Sequence, residues 1–216
     1  MYDIVFISYK EPNADENFAK LKQRFPQAKR VDGVKGIHQA HIAAAKKAFT
    51  KMFWVVDGDA VILDSFNFDH EVSEYDLDVV HVWRSKNPEN GLMYGYGGVK
   101  LLPRRMTIDM DTGSVDMTLA ISGKFKAMEE ISNLTAFNTD PFSTWRSAFR
   151  ECCKLVQNKD LESDVRLNAW LQHGSQDAID GAYAGMQYGR KNASNKEALS
   201  LINDFDWLKN QFQQTH

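Results

Sequence analysis

The five residues Met52-Phe53-Trp54-Val55-Val56 are all apolar, rich in aromatic and β-branched types, and run directly into Asp57-Gly58-Asp59. Such a run reads as a strand buried on both faces of a mostly parallel sheet. In open α/β sheets ligands bind beyond the carboxyl ends of the strands, and Asp57 and Asp59 stand at such an end. Two apart in near-extended chain, they point the same way. Gly58 lets the backbone bend so that both carboxylates face one hard cation, Mg²⁺ or Mn²⁺, able to carry a diphosphate. An acidic turn is the plainer alternative, since Asp-Gly is a common turn dipeptide, but the strand before it favours a site.

The residues ahead of this strand complete a β-α-β-α-β unit. Asp3 to Ser8 predict a strand. Asn13, with Glu16 three residues on, caps a helix whose apolar face is Phe18, Leu21 and Phe25 and whose stop is Pro26. Ala28 to Val31 predict a second strand, Asp32 to Gly36 a glycine-flanked loop, and Ile37 to Phe49 a second helix. This alternation predicts the α/β class, with parallel strands joined by right-handed crossovers. The unit lacks a Gly-x-Gly-x-x-Gly run, which argues against a nicotinamide or flavin dinucleotide. The helix start at Gly36 aims free N–H groups and a positive dipole end into the crevice, a place for phosphate. His38 and His41 share a face of that helix and line the crevice, the alternative being two half-buried histidines satisfied by backbone. Asp32 is placed to accept from a ribose hydroxyl or a base N–H.

The 216 residues, 43% hydrophobic and 12% aromatic, suffice for one globular core. A net charge of −3 offers no global attraction for a polyanion, so any nucleic-acid contact must be local. A bridge between the adjacent Cys152 and Cys153 is strained, so reduced thiols are expected. No basic leader precedes a long apolar run and no stretch is long enough to span a bilayer, so a soluble, cytoplasmic protein without a membrane partner is expected.

Further along, Arg84 and Lys86 close a strand begun at Asp78 and offer cations to phosphate or sugar hydroxyls. The glycine-aromatic run through Tyr94, Tyr96, Gly97 and Gly98 offers flat faces to a sugar or base, or is loop filler. Val99 to Arg105 predict a strand with a basic end, and Lys100, Arg104 and Arg105 are the local cations available to DNA, with Lys20, Lys22 and Arg24 second. Phe125 to Asn138 predict a strand region. Asp140, followed by Pro141, opens a helix as its N-cap and is also placed to accept a proton from an attacking hydroxyl. A C-terminal amphipathic helix, capped by Ser194 with Glu197, carries Ala198, Leu201, Ile202, Phe205, Leu208 and Phe212.

An Asp-x-Asp closing the third strand of such a unit resembles the GT-A class of nucleotide-sugar-dependent glycosyltransferases. Thr139-Asp140, opening a helix that carries Arg146, is similar to the acidic catalytic motif of its inverting members. The runs Met52 to Ile62, Val82 to Pro88, Tyr94 to Arg104 and Asn138 to Cys152 resemble small glycosyltransferases of T-even-type bacteriophages that decorate hydroxymethylcytosine in DNA, arabinosyl-transferring ones included. The resemblance implies a GT-A-like, Rossmann-type single domain with helices flanking a mostly parallel central sheet. Residues 1–85 would be its nucleotide-sugar half, 86–190 its acceptor half and 191–216 its C-terminal helix.

It also implies a metal-dependent glycosyltransferase. Asp57 and Asp59 would hold Mn²⁺ or Mg²⁺, with His173 the candidate further ligand. Ser8, Tyr9, Asp32, Gly36, His38, His41 and Asp57, backed by Arg84 and Lys86, would hold the nucleotide sugar, a UDP-sugar foremost. Asp140 would be the base. DNA containing hydroxymethylcytosine would lie against Tyr94, Tyr96, Gly97, Gly98, Arg104, Arg105, Trp145 and Arg146, in the host cytoplasm if the chain is phage-encoded. Trp54 to Val61 also resemble the first motif of haloacid-dehalogenase-type phosphatases, in which the first aspartate is the nucleophile. Those enzymes usually begin with that strand, whereas a βαβα unit precedes it here, and a clear later acidic pair after a lysine is missing. A catalytically silent sugar- or DNA-binding module is the third reading.

Overall fold

The apolar run is a strand, β3 (Met52–Asp57), and every residue from Met52 to Val56 is fully buried. Trp54 and Val56 pack with Ile4, Phe6 and Leu101 on one face, Phe53 and Val55 with Val5, Ala44 and Leu102 on the other. A strand apolar on both faces needs a layer on each, and the crossover helices α1 (Ala14–Arg24) and α2 (Ile37–Lys47) supply residues to the two clusters.

This computed structural model describes residues 1–95, 97–114 and 116–215. The chain divides into two units, one of residues 1–86 and 93–136, the other of 87–92 and 137–216. The first unit is mixed α/β. To β3 it adds β1 (Asp3–Ser8), β2 (Lys29–Asp32), β4 (Ala60–Ile62), β5 (Val80–Lys86), β6 (Met93–Tyr94), β7 (Val99–Pro103) and β8 (Phe125–Thr135), with the short helices α3 (Arg104–Ile108) and α4 (Met117–Ile121). The sheet order among the described residues is β2-β1-β3-β7-β5-β8-β4, with β6 pairing β5. Strands β2, β1 and β3 are parallel as expected, and β5 is parallel to β8. Strand β7 runs antiparallel to both β3 and β5, so the sheet is mixed rather than mostly parallel.

One cap differs from expectation. Asn13 is the N-cap residue of α1 but makes no side-chain cap bond, because its Nδ2 donates to Ala136 O at 2.9 Å. Glu16 pairs instead with Lys20 one turn on.

The second unit is helical: α5 (Pro141–Leu155), α6 (Leu161–Gln172), α7 (Gln176–Lys191), α8 (Lys196–Ser200) and α9 (Phe205–Thr215). Helix α7 meets α5 through glycines at every fourth position. A Cβ on Gly181 would lie 2.3 Å from Trp145 O, one on Gly185 2.1 Å from Phe149 O, and one on Gly189 2.5 Å from Val156 Cγ2. Backbone thus rests on backbone, which only glycine allows. The expected single C-terminal helix is broken. Asn195 rather than Ser194 caps α8, accepting from Ala198 N, and Asp204 accepts from Trp207 N at the start of α9. A 3₁₀ turn, Leu201–Asn203, lies between, held by Arg150 on Ile202 O. Cys152 and Cys153 are buried free thiols, and burial raises both pKa values, that of Cys153 to about 11. Among the described residues no helix is long and apolar enough to cross a membrane.

Gly185→Ala is expected to destabilise the protein by about 3 kcal/mol, through overpacking against Phe149. Gly123→Ala, with no heavy atom within 4 Å of the added Cβ, should be near neutral. Urea denaturation of the two variants checks the contrast.

Candidate functional site

Register aligns the ends of three parallel strands. Ser8 pairs with Asp32 and Ile7 with Asp57, so β1, β2 and β3 finish along one edge. Across β3, Lys100 pairs with Val55, while its neighbours Val99 and Leu101 turn into the opposite core. Lys100 is therefore a single cation at a position otherwise apolar, 2% exposed, and such a charge must be paired. Its Nζ donates to Asp57 Oδ1 at 2.8 Å and Oδ2 at 3.0 Å, and also to Gly97 O.

The backbone completes this joint, since Asp57 N donates to Gly98 O at 2.9 Å. Gly97 has φ +78°, and a Cβ on Gly98 would come within 2.7 Å of Asn133 Nδ2. Beneath that turn Asn133 Oδ1 accepts from Ser85 Oγ and Ser132 Oγ, each at 2.8 Å.

The loop after β1 fixes the Asp-Gly-Asp turn from the other side. A Cβ on Gly58 would lie 2.7 Å from Glu11 Oε2, and Asn17 Nδ2 donates to Gly58 O at 2.9 Å. Glu11 also accepts from Tyr9 N, and Lys10 between them has a positive φ of 63°. Glycine at position 58 thus leaves room for Glu11. Among the described residues no three His, Cys, Asp or Glu side chains gather as a metal-holding group, and the Asp57 carboxylate is spanned by an ammonium. The Asp57 carboxylate therefore does not stand open to the divalent cation that the resemblance implies.

Beside this joint stands a second polar group. Ser8 Oγ donates to Asp32 Oδ1 at 2.5 Å, and Arg30 donates to Ser8 Oγ at 3.0 Å and Asp32 Oδ1 at 3.1 Å. The Ser8 bond, helped by the Arg30 charge and opposed by burial, holds the Asp32 carboxyl below its ordinary pKa. The side chain is 61% exposed, so an ionised acceptor faces solvent at the end of β2.

Helix α2 starts at Gly36, whose φ of +94° favours glycine and which brings no capping side chain. One turn in, His41 is 1% exposed, and its Nδ1 lies 2.8 Å from Ile37 O. That nitrogen donates to the carbonyl, so Nε2 carries the lone pair, and among the described residues Nε2 has no partner, like the Nε2 of His38. Burial first, then the Lys100 charge, pushes the His41 pKa well below its ordinary value. The ring is neutral at pH 7.

The other expected residues are placed as follows. Arg84 and Lys86 are exposed at the end of β5. Tyr94 is 5% exposed, paired with Ser85, and offers no open face, while Tyr96 lies outside the described residues. Met52 pairs with Pro103 and Val56 with Val99, so Arg104 and Arg105 follow β7 at the edge opposite Asp57. Arg104 Nε donates to Ala45 O and Ala48 O, closing the carboxyl end of α2, and Arg105 is exposed beside Asp109.

In the second unit Asp140 caps α5, accepting from Ser143 N at 2.9 Å and Ser143 Oγ at 2.7 Å. Burial opposes, but these bonds hold its pKa below the ordinary value. Trp145 is core, stacked near Phe149, and Arg146 lies over the rings of Phe142 and Phe205. His173 ends α6, its N–H donating to Ala169 O. Sequence reasoning missed the pairing of Lys100, and Arg30 and Glu11 altogether. The signal for Lys100 was a lone cation between Val99 and Leu101 in an apolar strand.

No protein-family model matches the chain, and no curated protein matches it. Among solved structures it is similar to HddC from Yersinia pseudotuberculosis, at 18% identity and a TM-score of 0.39, over 60% of this chain and 69% of that one. A likeness so distant carries no functional argument of its own. Neither the family models nor the curated proteins give glycosyl transfer any support, and sugar transfer to hydroxymethylcytosine is withdrawn as the function of this chain. Lys100 holds Asp57, and Asp140 caps α5.

Two outcomes follow from these side chains. Unfolded His41 titrates near ~6.5, and folded His41 well below that, so under pH ~6.5 only the unfolded state takes up the proton. Stability therefore falls as pH drops from about 7.5 to 5.5, and His70 and His81, also lowered by burial, act in the same direction. In His41→Gln the fall should be shallower by urea denaturation, and an unchanged slope would contradict the assignment. Asp140→Ala should cost about 1 kcal/mol of stability and Asp140→Asn much less, since asparagine also caps.

Proposed function

We propose that the protein binds a nucleoside diphosphate, or a compound carrying one, at the carboxyl edge of β1, β2 and β3. The observation that carries this reading is the buried, neutral His41, whose Nε2 lone pair stands without a partner in the first turns of α2. An unsatisfied buried acceptor costs about 1–3 kcal/mol, which a ligand N–H or O–H would recover. The Gly36 end of α2 adds unbonded backbone N–H groups and the positive end of a helix dipole, suited to phosphate oxygens. Asp32, ionised and set by Ser8 and Arg30, is suited to ribose hydroxyls or a base N–H. The exposed Arg84 and Lys86 at the end of β5 add positive charge. The parallel β2-β1-β3 order, with its strands ending along one edge, supports a GT-A-like fold here as a nucleotide-binding frame without glycosyl transfer.

A ligand that binds only the native state at a hundredfold excess over Kd adds about 2.7 kcal/mol of stability. Thermal shift is therefore expected to pick out at least one of UDP, CDP, GDP and ADP above inorganic phosphate. Asp32→Ala should weaken that ligand about tenfold, the worth of one charge-assisted hydrogen bond. A midpoint that stays flat across the whole panel would remove the nucleotide reading.

A further inference from the structure

Lys100 has a geometry unusual for a lysine within a sheet. Its side chain is 3% exposed, and its strand runs between β3 and β5, opposite Val55 and Val82. The three protons of the ammonium have three oxygens in reach, both of the Asp57 carboxylate and the Gly97 carbonyl. Gly97 adopts the left-handed backbone that presents this carbonyl, and a Cβ there would sit 3.6 Å from Nζ. The turn is shaped around the ammonium, and the lysine side chain is buried with it. Close to the same charge stands His41, with its unpartnered Nε2. Both oxygens of a carboxylate thus face one cation, and that cation is a side chain.

We propose that Lys100 is the resident cation of this site: its ammonium closes the Asp57 corner to divalent metal, so that the site takes its nucleoside diphosphate without one. The proposal rests on the nucleotide reading above and adds to it the charge class of the partner, a phosphate ligand free of metal. A dication approaching Asp57 would meet a carboxylate already engaged at both oxygens and a buried like charge beside it. Replacing the lysine by an uncharged residue of similar length removes both obstacles. It leaves the Asp57 carboxylate open as a hard-oxygen donor, which suits Mn²⁺.

The test has two arms. In the first, wild-type protein is titrated calorimetrically with UDP, CDP, GDP and ADP, in EDTA and in Mn²⁺. In the second, Mn²⁺ alone is titrated into wild type, Lys100→Met and the double variant Lys100→Met with Asp57→Asn, with free Mn²⁺ read by electron paramagnetic resonance and folding by circular dichroism. The expected results are nucleotide affinities within about twofold with and without metal, no Mn²⁺ uptake by wild type, a Mn²⁺ site gained in Lys100→Met, and its loss in the double variant. Nucleotide affinity at least tenfold weaker in EDTA overturns the proposal, as does wild-type Mn²⁺ uptake equal to that of Lys100→Met, or a folded Lys100→Met that takes up none. Should no nucleotide bind wild type under either condition, the nucleotide reading fails, and the Mn²⁺ arm still decides whether Lys100 closes the site. If Lys100→Met does not fold, the wild-type measurements decide.

Discussion

Burial of β3 on both faces is the constraint from which the first unit is built. Five consecutive side chains from Met52 to Val56 leave water completely, and burying each apolar side chain of this size is worth roughly 1.5–3 kcal/mol. That burial needs apolar cover on two sides. Phe6, Phe18 and Leu21 help to form one cover, and Val5, Ala44 and Ala45 the other. The aromatic cluster of Trp54, Phe66, Phe68 and Trp83, with Trp54 and Trp83 ring centroids 4.5 Å apart, fills the first of these layers. Because the run is apolar until Val56, the first place where β3 can present chemistry is its end, and Asp57 stands there.

What stands at that end shows how a charge is accommodated inside a sheet. Lys100 alternates with residues of the opposite core, so the pleat alone sends it to the face of Val55 and Val82. Its nearest anion is supplied by the neighbouring strand, and Asp57 remains partly exposed, so the pair is screened on one side and enclosed on the other. The glycines around it have separate tasks. Gly97 turns a carbonyl toward the ammonium, Gly98 clears Asn133, and Gly58 clears Glu11.

Local pattern made β1, α1, β2, α2 and β3 readable in the sequence, because each is set by its own periodicity and by the residues that stop it. The cap and proline at Asp140-Pro141 were readable for the same reason. What was not readable depends on partners far along the chain. The antiparallel entry of β7, which makes the sheet mixed, and the bond from Lys100 to Asp57 both join segments more than forty residues apart. Asn13 looked like a side-chain cap until Ala136 claimed its amide. Arg104 looked like a ligand cation until strand direction carried it to the carboxyl end of α2. The spacing of Gly181, Gly185 and Gly189 was present in the sequence, yet its meaning needs α5 alongside.

The pairing order of the sheet also has a consequence for how the chain is made. Synthesis delivers β1, α1, β2, α2 and β3 before β7, and this segment can pair internally as β2-β1-β3. The far side of β3 then has no neighbour until Val99–Pro103 emerges, and β4, made directly after the Asp-Gly-Asp turn, waits for Asn133–Thr135. For that interval the nascent chain carries an open edge on its most apolar strand, the kind of edge that recruits strands from other chains. That edge closes only when β7 arrives and pairs along β3.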